Sequence, residues 1–254
     1  IIAEPQGKNT APCVALAALH VQRREKGAIM ALLPADHWIG DPAGFLELLR
    51  AARELVEKRG GLVTLGIQPT RPDTGFGYLQ IGSEIGTFQG KSAFWVERFV
   101  EKPGITQAQQ FCASGKYLWN SGMFLWRAET ILGEIKAHLP RVFEGMERIA
   151  AALGTPQEER VTEQVFSGLE SVSVDKGVLE KASDVAVIPA SFGWNDIGSW
   201  RALCDLLPAD EAGNTVHGKL IAIDTRDCVV HSPRKLVAAI GLKDLIIVET
   251  EDAI

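Results

Sequence analysis

The chain has 254 residues, of which 46% are hydrophobic, and a formal net charge of −6. This length and apolar content can supply the core of one large α/β domain, or of a domain with an appendage, and they exclude a disordered tail or a collagen-like polymer. The acidic balance and the lack of a Lys/Arg-rich block argue against a nucleic-acid-binding surface.

The four cysteines are scattered, without a CxxC pair and without histidines at zinc-ligand spacing; they are Cys13, Cys112, Cys204 and Cys228. No apolar run is long enough to span a bilayer, and residues 1–10 lack the basic and apolar regions of a signal peptide. We therefore expect reduced thiols in a soluble, cytoplasmic protein.

The first predicted helix follows a polar loop. Asn9 and Thr10 are typical of a helix start, the helical pattern covers residues 15–26, and Gly27 ends it.

A strand–helix–strand unit comes next. Residues 28–39 form an apolar run whose first half suits a buried strand, so that Asp36 lies just past the strand's end. An amphipathic helix then starts at Asp41, as N-cap, and stops at Gly60; residues 62–67 form a second strand. This order favours a parallel sheet with right-handed crossovers, as in a doubly wound α/β fold.

Strand-like segments follow in residues 81–105, and helical patterns resume in residues 106–114 and 128–153. Residues 154–160 have no apolar periodicity and are predicted to be an exposed polar loop. From residue 213 onward, short strand patterns recur at close spacing with polar turns between them. We expect a core in residues 1–212 and a β-rich, incomplete C-terminal module in residues 213–254.

Some polar stretches carry possible chemistry. The loop EPQGKNTAP (residues 4–12) feeds a helix N-terminus, whose free amides suit an anionic or carbonyl-rich ligand, although ordinary capping by Asn9 or Thr10 is the alternative. In PTRPDTGFGY (residues 69–78), Gly75 and Gly77 would let backbone approach a ligand closely.

Two carboxylates are candidate Mg²⁺ ligands. Asp36 in LPADH follows a buried strand, where open α/β sheets place ligand-binding groups, and Asp196 in GWNDIGSW would complete the site. Helix or turn capping is the alternative for each, and His37 is assigned no catalytic role.

Sugar and phosphate recognition is suggested by FVEKP and WNSGMF. In the first, Glu101 can accept from hydroxyls and Lys102 can neutralise a phosphate; in the second, Asn120 offers a donor and an acceptor. Each stretch alone could be a surface turn.

Taken together in this order, these stretches resemble the bacterial mannose-1-phosphate guanylyltransferases, members of the sugar-1-phosphate nucleotidyltransferase family, over almost the whole chain. The resemblance implies a doubly wound, mostly parallel, Rossmann-like domain followed by a small left-handed β-helix. It implies GTP binding, Mg²⁺ as cofactor, and a role in GDP-mannose biosynthesis, by transfer of GMP from GTP to mannose 1-phosphate with release of pyrophosphate. A homodimer through the C-terminal module is also implied.

By that resemblance, the site residues have separate roles. Asp36 and Asp196 bind the metal, Lys102 meets the sugar phosphate, and these three are the catalytic residues. The substrate-binding residues are Gly77, Glu101 and Asn120, and the nucleotide-binding residues are Glu4, Asn9 and Thr10.

One departure from the family pattern is that no strand with a glycine-rich triphosphate loop precedes Ile1, so we expect the core to lack this element. The alternatives are a transferase for another sugar 1-phosphate or nucleotide, and a non-catalytic homologue that binds a nucleotide sugar. A fused phosphomannose isomerase domain also stays open.

Overall fold

A computed structural model describes residues 1–200, 202 and 206–254. The backbone contacts divide the chain into two compact units. The large unit is Ile1–Ala35 with Gly40–Gly193, and the small unit is Asp36–Ile39 with Trp194–Ile254.

The described helices are α1 (Thr10–Arg24), α2 (Pro42–Arg59), α3 (Ile105–Ser114), α4 (Ala128–His138), α5 (Pro140–Ala152) and α6 (Glu158–Gly168), with a π-helical segment at Asp175–Leu179. The strands are β1 (Ile29–Leu32), β2 (Trp38–Ile39), β3 (Leu62–Ile67), β4 (Tyr78–Phe88), β5 (Lys91–Val100), β6 (Tyr117–Arg127), β7 (Val185–Ala190), β8 (Trp194–Asn195), β9 (Thr215–Ile223), β10 (Val229–Ile240) and β11 (Ile246–Val248). No helix in these described parts is long and apolar enough to cross a membrane.

Helix α2 has the ends that its sequence predicts. Asp41 is the N-cap and accepts from the Gly44 amide at 3.0 Å, Pro42 is the first helical residue, and Gly60 ends the helix with φ of 76°. Helix α1 also starts where predicted, but it ends at Arg24 because Glu25 is extended.

The sheet of the large unit has the order β1-β6-β3-β7-β5-β4. The α/β class is confirmed, and strands β1, β3, β4 and β7 run in one direction. Pairing differs from the expectation of a mostly parallel sheet: among the described strands of this sheet, only β3 and β7 are parallel neighbours. Strands β5 and β6 run in the opposite direction and pair antiparallel with their neighbours. In the predicted strand–helix–strand unit, β6 therefore lies between β1 and β3.

The largest buried cluster joins helices α1, α4, α5 and α6 and the π-helical segment to the sheet. Among its members, Trp126 and Phe166 are fully buried. Helix α2 contacts β3, β6 and β7 through buried side chains outside this cluster, for example Leu55.

Besides the end of α1, two helical boundaries differ from the predictions. The pattern in residues 128–153 is two helices, because α4 ends at His138 and Pro140 begins α5. The loop predicted for residues 154–160 was wrong at its end: α6 begins at Glu158, where acidic residues suit the positive end of a helix dipole, and Phe166 buries its apolar side.

The small unit contains a three-stranded, entirely parallel sheet in the order β11-β10-β9. Successive strands are stacked in register, so that Thr215 pairs with Val229 and Val229 with Ile246. A β-rich C-terminal module is therefore confirmed. Of the cysteines, Cys13, Cys112 and Cys228 are free thiols, and Cys204 lies outside the described residues.

A buried carboxylate holds the irregular stretch of β10 in place. Glu249 accepts hydrogen bonds from the Ser232 hydroxyl at 2.7 Å and from the Lys235 and Arg234 amides at 2.9 and 3.3 Å. These bonds, that of Ser232 first, hold the pKa of Glu249 below its ordinary value. The ionised carboxylate therefore stabilises this part of the small unit.

We expect Glu249→Gln to change the acid stability of the protein. A depressed carboxyl pKa adds stability that is present above the unfolded pKa and is lost as pH falls through the folded pKa. The wild type should therefore lose stability in the acid range, below the ordinary Glu pKa of about 4.3. The variant should be less stable than the wild type at neutral pH, and its stability should decrease less steeply as the pH falls. Thermal melting between pH 7 and pH 3 checks this, and parallel curves for the two proteins would contradict it.

Candidate active site

The turn that follows β5 carries the first two predicted site residues. Lys102 has φ of 50°, in the left-handed region, so the chain turns sharply before Pro103. The Lys102 ammonium lies 3.4 Å from the Glu101 carboxylate and is largely exposed, whereas the Glu101 side chain is 12% exposed. The exposed Lys102 ammonium thus lies beside the mostly buried carboxylate of Glu101.

Gly77, Glu101 and Asn120 lie together in the large unit. The Asn120 backbone N–H donates to the Gly77 carbonyl at 2.8 Å. A Cβ on Gly77 would lie 2.7 Å from Glu101 Oε2 and 3.4 Å from Asn120 Cβ, so only glycine leaves this space unfilled. The structure therefore brings together the three residues predicted to contact the sugar.

The side-chain amide of Asn120 is almost buried and is held at both ends. Its Nδ2 donates to Asp175 Oδ1 at 2.9 Å, and its Oδ1 accepts from the Gly122 amide at 3.3 Å. The Thr64 hydroxyl lies 3.3 Å from the same Oδ1 and 3.1 Å from the Met123 carbonyl. An amide has two N–H groups, so one donor of Asn120 remains for a ligand.

Asp175 and Glu180 were missed in the sequence. Asp175 opens the π-helical segment and Glu180 follows its end; Glu180 Oε1 accepts from the Glu101 backbone amide at 3.0 Å. Burial raises the pKa of Glu101, and the Asp175 carboxylate raises it further, against Lys102. Burial also raises the pKa of Asp175. The only sequence signal was an acidic residue at each end of a short segment that contains the apolar residues Val178 and Leu179.

Hydrogen bonds between its own residues hold the loop of residues 69–78, which contains Gly77. The Tyr78 hydroxyl donates to the Asp73 carbonyl at 2.9 Å and accepts from the Asp73 amide at 3.0 Å, and the Gly75 amide donates to Asp73 Oδ1 at 2.9 Å. Phe76 packs against Trp119, with ring centroids 4.9 Å apart. Gly75 therefore serves the loop's own turn.

The predicted nucleotide-binding residues start helix α1. Asn9 caps the helix, with its Oδ1 accepting from the Thr10 amide at 2.9 Å, and the Thr10 hydroxyl accepts from the Val174 amide at 2.8 Å. Both side chains thus have structural partners. Glu4 Oε2 is buried without a hydrogen-bond partner in the described part of the chain, and the Glu4 charge contributes, after burial, to the raised pKa of Cys13.

Asp36 and Asp196 are both in the small unit, at the ends of the paired strands β2 and β8. The antiparallel register sets Trp38 opposite Asn195, which places His37 near Asp196. Burial lowers the pKa of His37, whereas the Asp36 and Asp196 carboxylates raise it. His37 Nδ1 accepts from Trp194 Nε1 at 3.0 Å, and His37 thus has a structural partner.

These two carboxylates fit a hard cation such as Mg²⁺, which prefers oxygen ligands and keeps waters and substrate phosphates in its shell. Asp196 Oδ1 accepts from the Gly198 amide at 3.2 Å, and the Ser199 hydroxyl accepts from the Ala202 amide at 3.1 Å. Asp196 is therefore in a local turn, while Ser199 has the capping bond. The described residues contain no group of three or more Cys, His, Asp or Glu that could hold a metal alone.

Comparison with known proteins identifies the class. Residues 1–213 match the family model described as Nucleotidyl transferase, and residues 218–254 match a model described as MannoseP isomerase/GMP-like beta-helix domain. The chain belongs to the nucleotidyl transferase family.

Individual relatives agree with the resemblance seen in the sequence motifs. Over 257 residues and 100% of its own length, the chain is 41% identical to the mannose-1-phosphate guanylyltransferase of Escherichia coli (strain K12). It is 40% identical, with the same coverage, to the xanthan biosynthesis protein XanB of Xanthomonas campestris pv. campestris (strain B100). A crystal structure of a mannose-1-phosphate geranyltransferase from Thermus thermophilus is 35% identical with a TM-score of 0.84, covering 99% of this chain and 71% of that one.

The chain spans about half the length of these curated relatives, 54% of the first and 53% of the second.

Proposed function

We propose that the intact protein transfers GMP from GTP to mannose 1-phosphate, giving GDP-mannose and pyrophosphate. The observation that carries this proposal is the 41% identity to a mannose-1-phosphate guanylyltransferase over the whole chain. The cluster of Gly77, Glu101 and Asn120 beside Lys102 supports it, because it combines hydroxyl-binding groups with a cation suited to a phosphate.

The reaction is an in-line displacement: a phosphate oxygen of mannose 1-phosphate attacks the α-phosphorus of GTP, and pyrophosphate leaves with the electrons of the broken P–O bond. Two anions must meet, so positioning and charge compensation are the main catalytic requirements. Lys102 contacts the sugar phosphate and offsets part of this repulsion. Glu101 and Asn120 bind sugar hydroxyls, with the backbone of Gly77 against the sugar.

The nucleotide is assigned to the loop that starts α1. Glu4 is the strongest candidate for a polar contact, because its Oε2 has no partner in the described residues. Asn9 and Thr10 act mainly by shaping the helix N-terminus, since their side chains have partners of their own.

Enzymes of this family generally use a divalent metal ion. We assign Mg²⁺ to Asp36 and Asp196, which supply the carboxylate oxygens that this ion prefers. When bound, the ion would neutralise phosphate charge.

Other predictions from the sequence stay proposals: the domain boundary between residues 212 and 213, a homodimer through the C-terminal module, and a cytoplasmic location. A transferase for another sugar phosphate or nucleotide is the second candidate, because the same metal and phosphate groups would serve it.

The proposal is tested by product identification. Intact protein is incubated with GTP, mannose 1-phosphate and Mg²⁺, and the products are analysed by mass spectrometry and ³¹P NMR, with omission of each component as control. GDP-mannose and pyrophosphate in equal amounts are expected. Binding of GDP-mannose without turnover would instead support a non-catalytic homologue.

A further inference from the structure

The orientation of the Asn120 amide is fixed by its neighbours. Asn120 Nδ2 donates to Asp175 Oδ1 at 2.9 Å. Turning the amide over would lose the bond to Asp175 and would place Asn120 Nδ2 against the Gly122 backbone amide, which can only donate and now donates to Asn120 Oδ1 at 3.3 Å. Asn120 therefore presents an N–H group, and not an acceptor, to a ligand.

The segment that carries Asp175 is firmly held. The Val174 amide, one residue earlier, donates to the Thr10 hydroxyl at 2.8 Å, and Val178 and Leu179 are 0% and 2% exposed in the main core. A Cβ on Gly177 would lie 2.8 Å from Leu139 Cδ1, so the backbone is packed closely there. Short π-helical segments of this kind are frequent at functional sites.

The other end of the segment fixes the neighbouring turn. Glu180 Oε1 accepts from the Glu101 amide at 3.0 Å, at the point where β5 leads into the Glu101–Lys102 turn. One short segment thus contacts both β6, through Asp175, and the end of β5, through Glu180.

Gathering these carboxylates has an electrostatic cost. Burial raises the pKa of both Glu101 and Asp175, and the Glu180 carboxylate raises both further. Asp175 also raises the pKa of Glu101, and Lys102 is the cation that acts against both shifts. An apolar residue at position 175 would avoid both the repulsion and the burial of a charge, but it would leave Asn120 without its partner. The arrangement makes sense if the orientation of Asn120 matters for recognition.

We propose that Asp175 is a positioning residue for substrate recognition: it holds Asn120 as a hydrogen-bond donor to a hydroxyl of the sugar phosphate. The proposal rests on the proposed function, because it assumes a sugar 1-phosphate as substrate. Asp175 itself need not touch the substrate.

The test is steady-state kinetics of the intact protein with Asp175→Ala, Asp175→Asn and, as matched control, Glu147→Ala, which removes an exposed carboxylate of α5. Asp175→Ala should raise KM for mannose 1-phosphate by about tenfold and reduce the preference for mannose over glucose 1-phosphate, since a misplaced amide loses one ligand hydrogen bond. KM for GTP should stay within about twofold of wild type, the scatter expected for an independent site. Asp175→Asn can still accept from Asn120 and should recover most of the loss.

A double-mutant cycle decides whether the effect acts through Asn120. In an Asn120→Ala background, Asp175→Ala should cause no further rise in KM for the sugar phosphate. Additive effects, or equal rises in KM for sugar phosphate and GTP, would overturn the positioning role, as would wild-type constants in a variant with only a lower melting temperature.

Two further arms keep the result interpretable. If Asp175→Ala does not fold, Asp175→Ser, whose hydroxyl is too short to reach Asn120, gives the same comparison. Wild-type protein that uses no sugar 1-phosphate would contradict the proposed function, whereas active wild type with unchanged Asp175 variants would overturn the positioning role alone.

Discussion

Replacing Asp36 or Asp196 with Asn is expected to lower turnover by about two to three orders of magnitude with little change in melting temperature. Asn keeps the size of the side chain and caps turns nearly as well as Asp, but it lacks the charge that holds Mg²⁺. A loss of about 3–4 kcal/mol of transition-state stabilisation corresponds to that factor, because each ~1.4 kcal/mol is about tenfold in rate.

The measurement is turnover of both variants at limiting and saturating Mg²⁺, together with thermal melting. Asp244→Asn is the matched control: this exposed aspartate has φ of 55°, a conformation that Asn also adopts. An NMR titration of His37 gives a readout independent of activity. Since both carboxylates raise the His37 pKa, removing either should lower it further. Near-normal turnover in a folded variant would eliminate the two-aspartate metal site.

Lys102→Met should also reduce kcat/KM for mannose 1-phosphate by about two to three orders of magnitude, since it removes a charge-assisted contact to a phosphate whose charge must be offset during attack. Met keeps most of the apolar stem, and the Lys102 side chain is 61% exposed, so stability should change little. Removing the ammonium should also raise the Glu101 pKa further, since Lys102 is the group that lowers it.

The comparison for Lys102 uses Lys116→Met, which removes an exposed lysine on another turn of the large unit. Initial rates of pyrophosphate release are measured for wild type and both variants over a range of sugar phosphate concentrations. Equal loss in the two variants would indicate a general charge effect, and an unchanged Lys102→Met protein would remove Lys102 from the mechanism.

Local features of the fold could be predicted from the sequence because their causes are local. The start of α2 depends on Asp41 and Pro42, and its end depends on Gly60, all within the helix and its caps. The sheet pairing depends on contacts between distant segments, and no local pattern indicates that β6 lies between β1 and β3. The start of α6 was not predicted because its first residues, Glu158, Glu159 and Arg160, are all charged.

The candidate site also has residues that local patterns predict and residues that only distant contacts reveal. Motifs with turn residues beside charges indicated Glu101 and Lys102, and the structure places Gly77 and Asn120 with them. Asp175 has no comparable signal, because its importance comes from a contact with a residue 55 positions away in the chain. The π-helical geometry that presents it is also too rare to predict from propensities.

The most direct test of the central claim is a matrix of kcat/KM values for pyrophosphate release by the intact protein. GTP, ATP and UTP are each combined with mannose 1-phosphate, glucose 1-phosphate and N-acetylglucosamine 1-phosphate, in the presence of Mg²⁺. We predict the highest value for GTP with mannose 1-phosphate, by at least about tenfold over every other pair, which corresponds to ~1.4 kcal/mol of differential transition-state binding. A higher value for UTP, or for glucose 1-phosphate, would contradict the assignment.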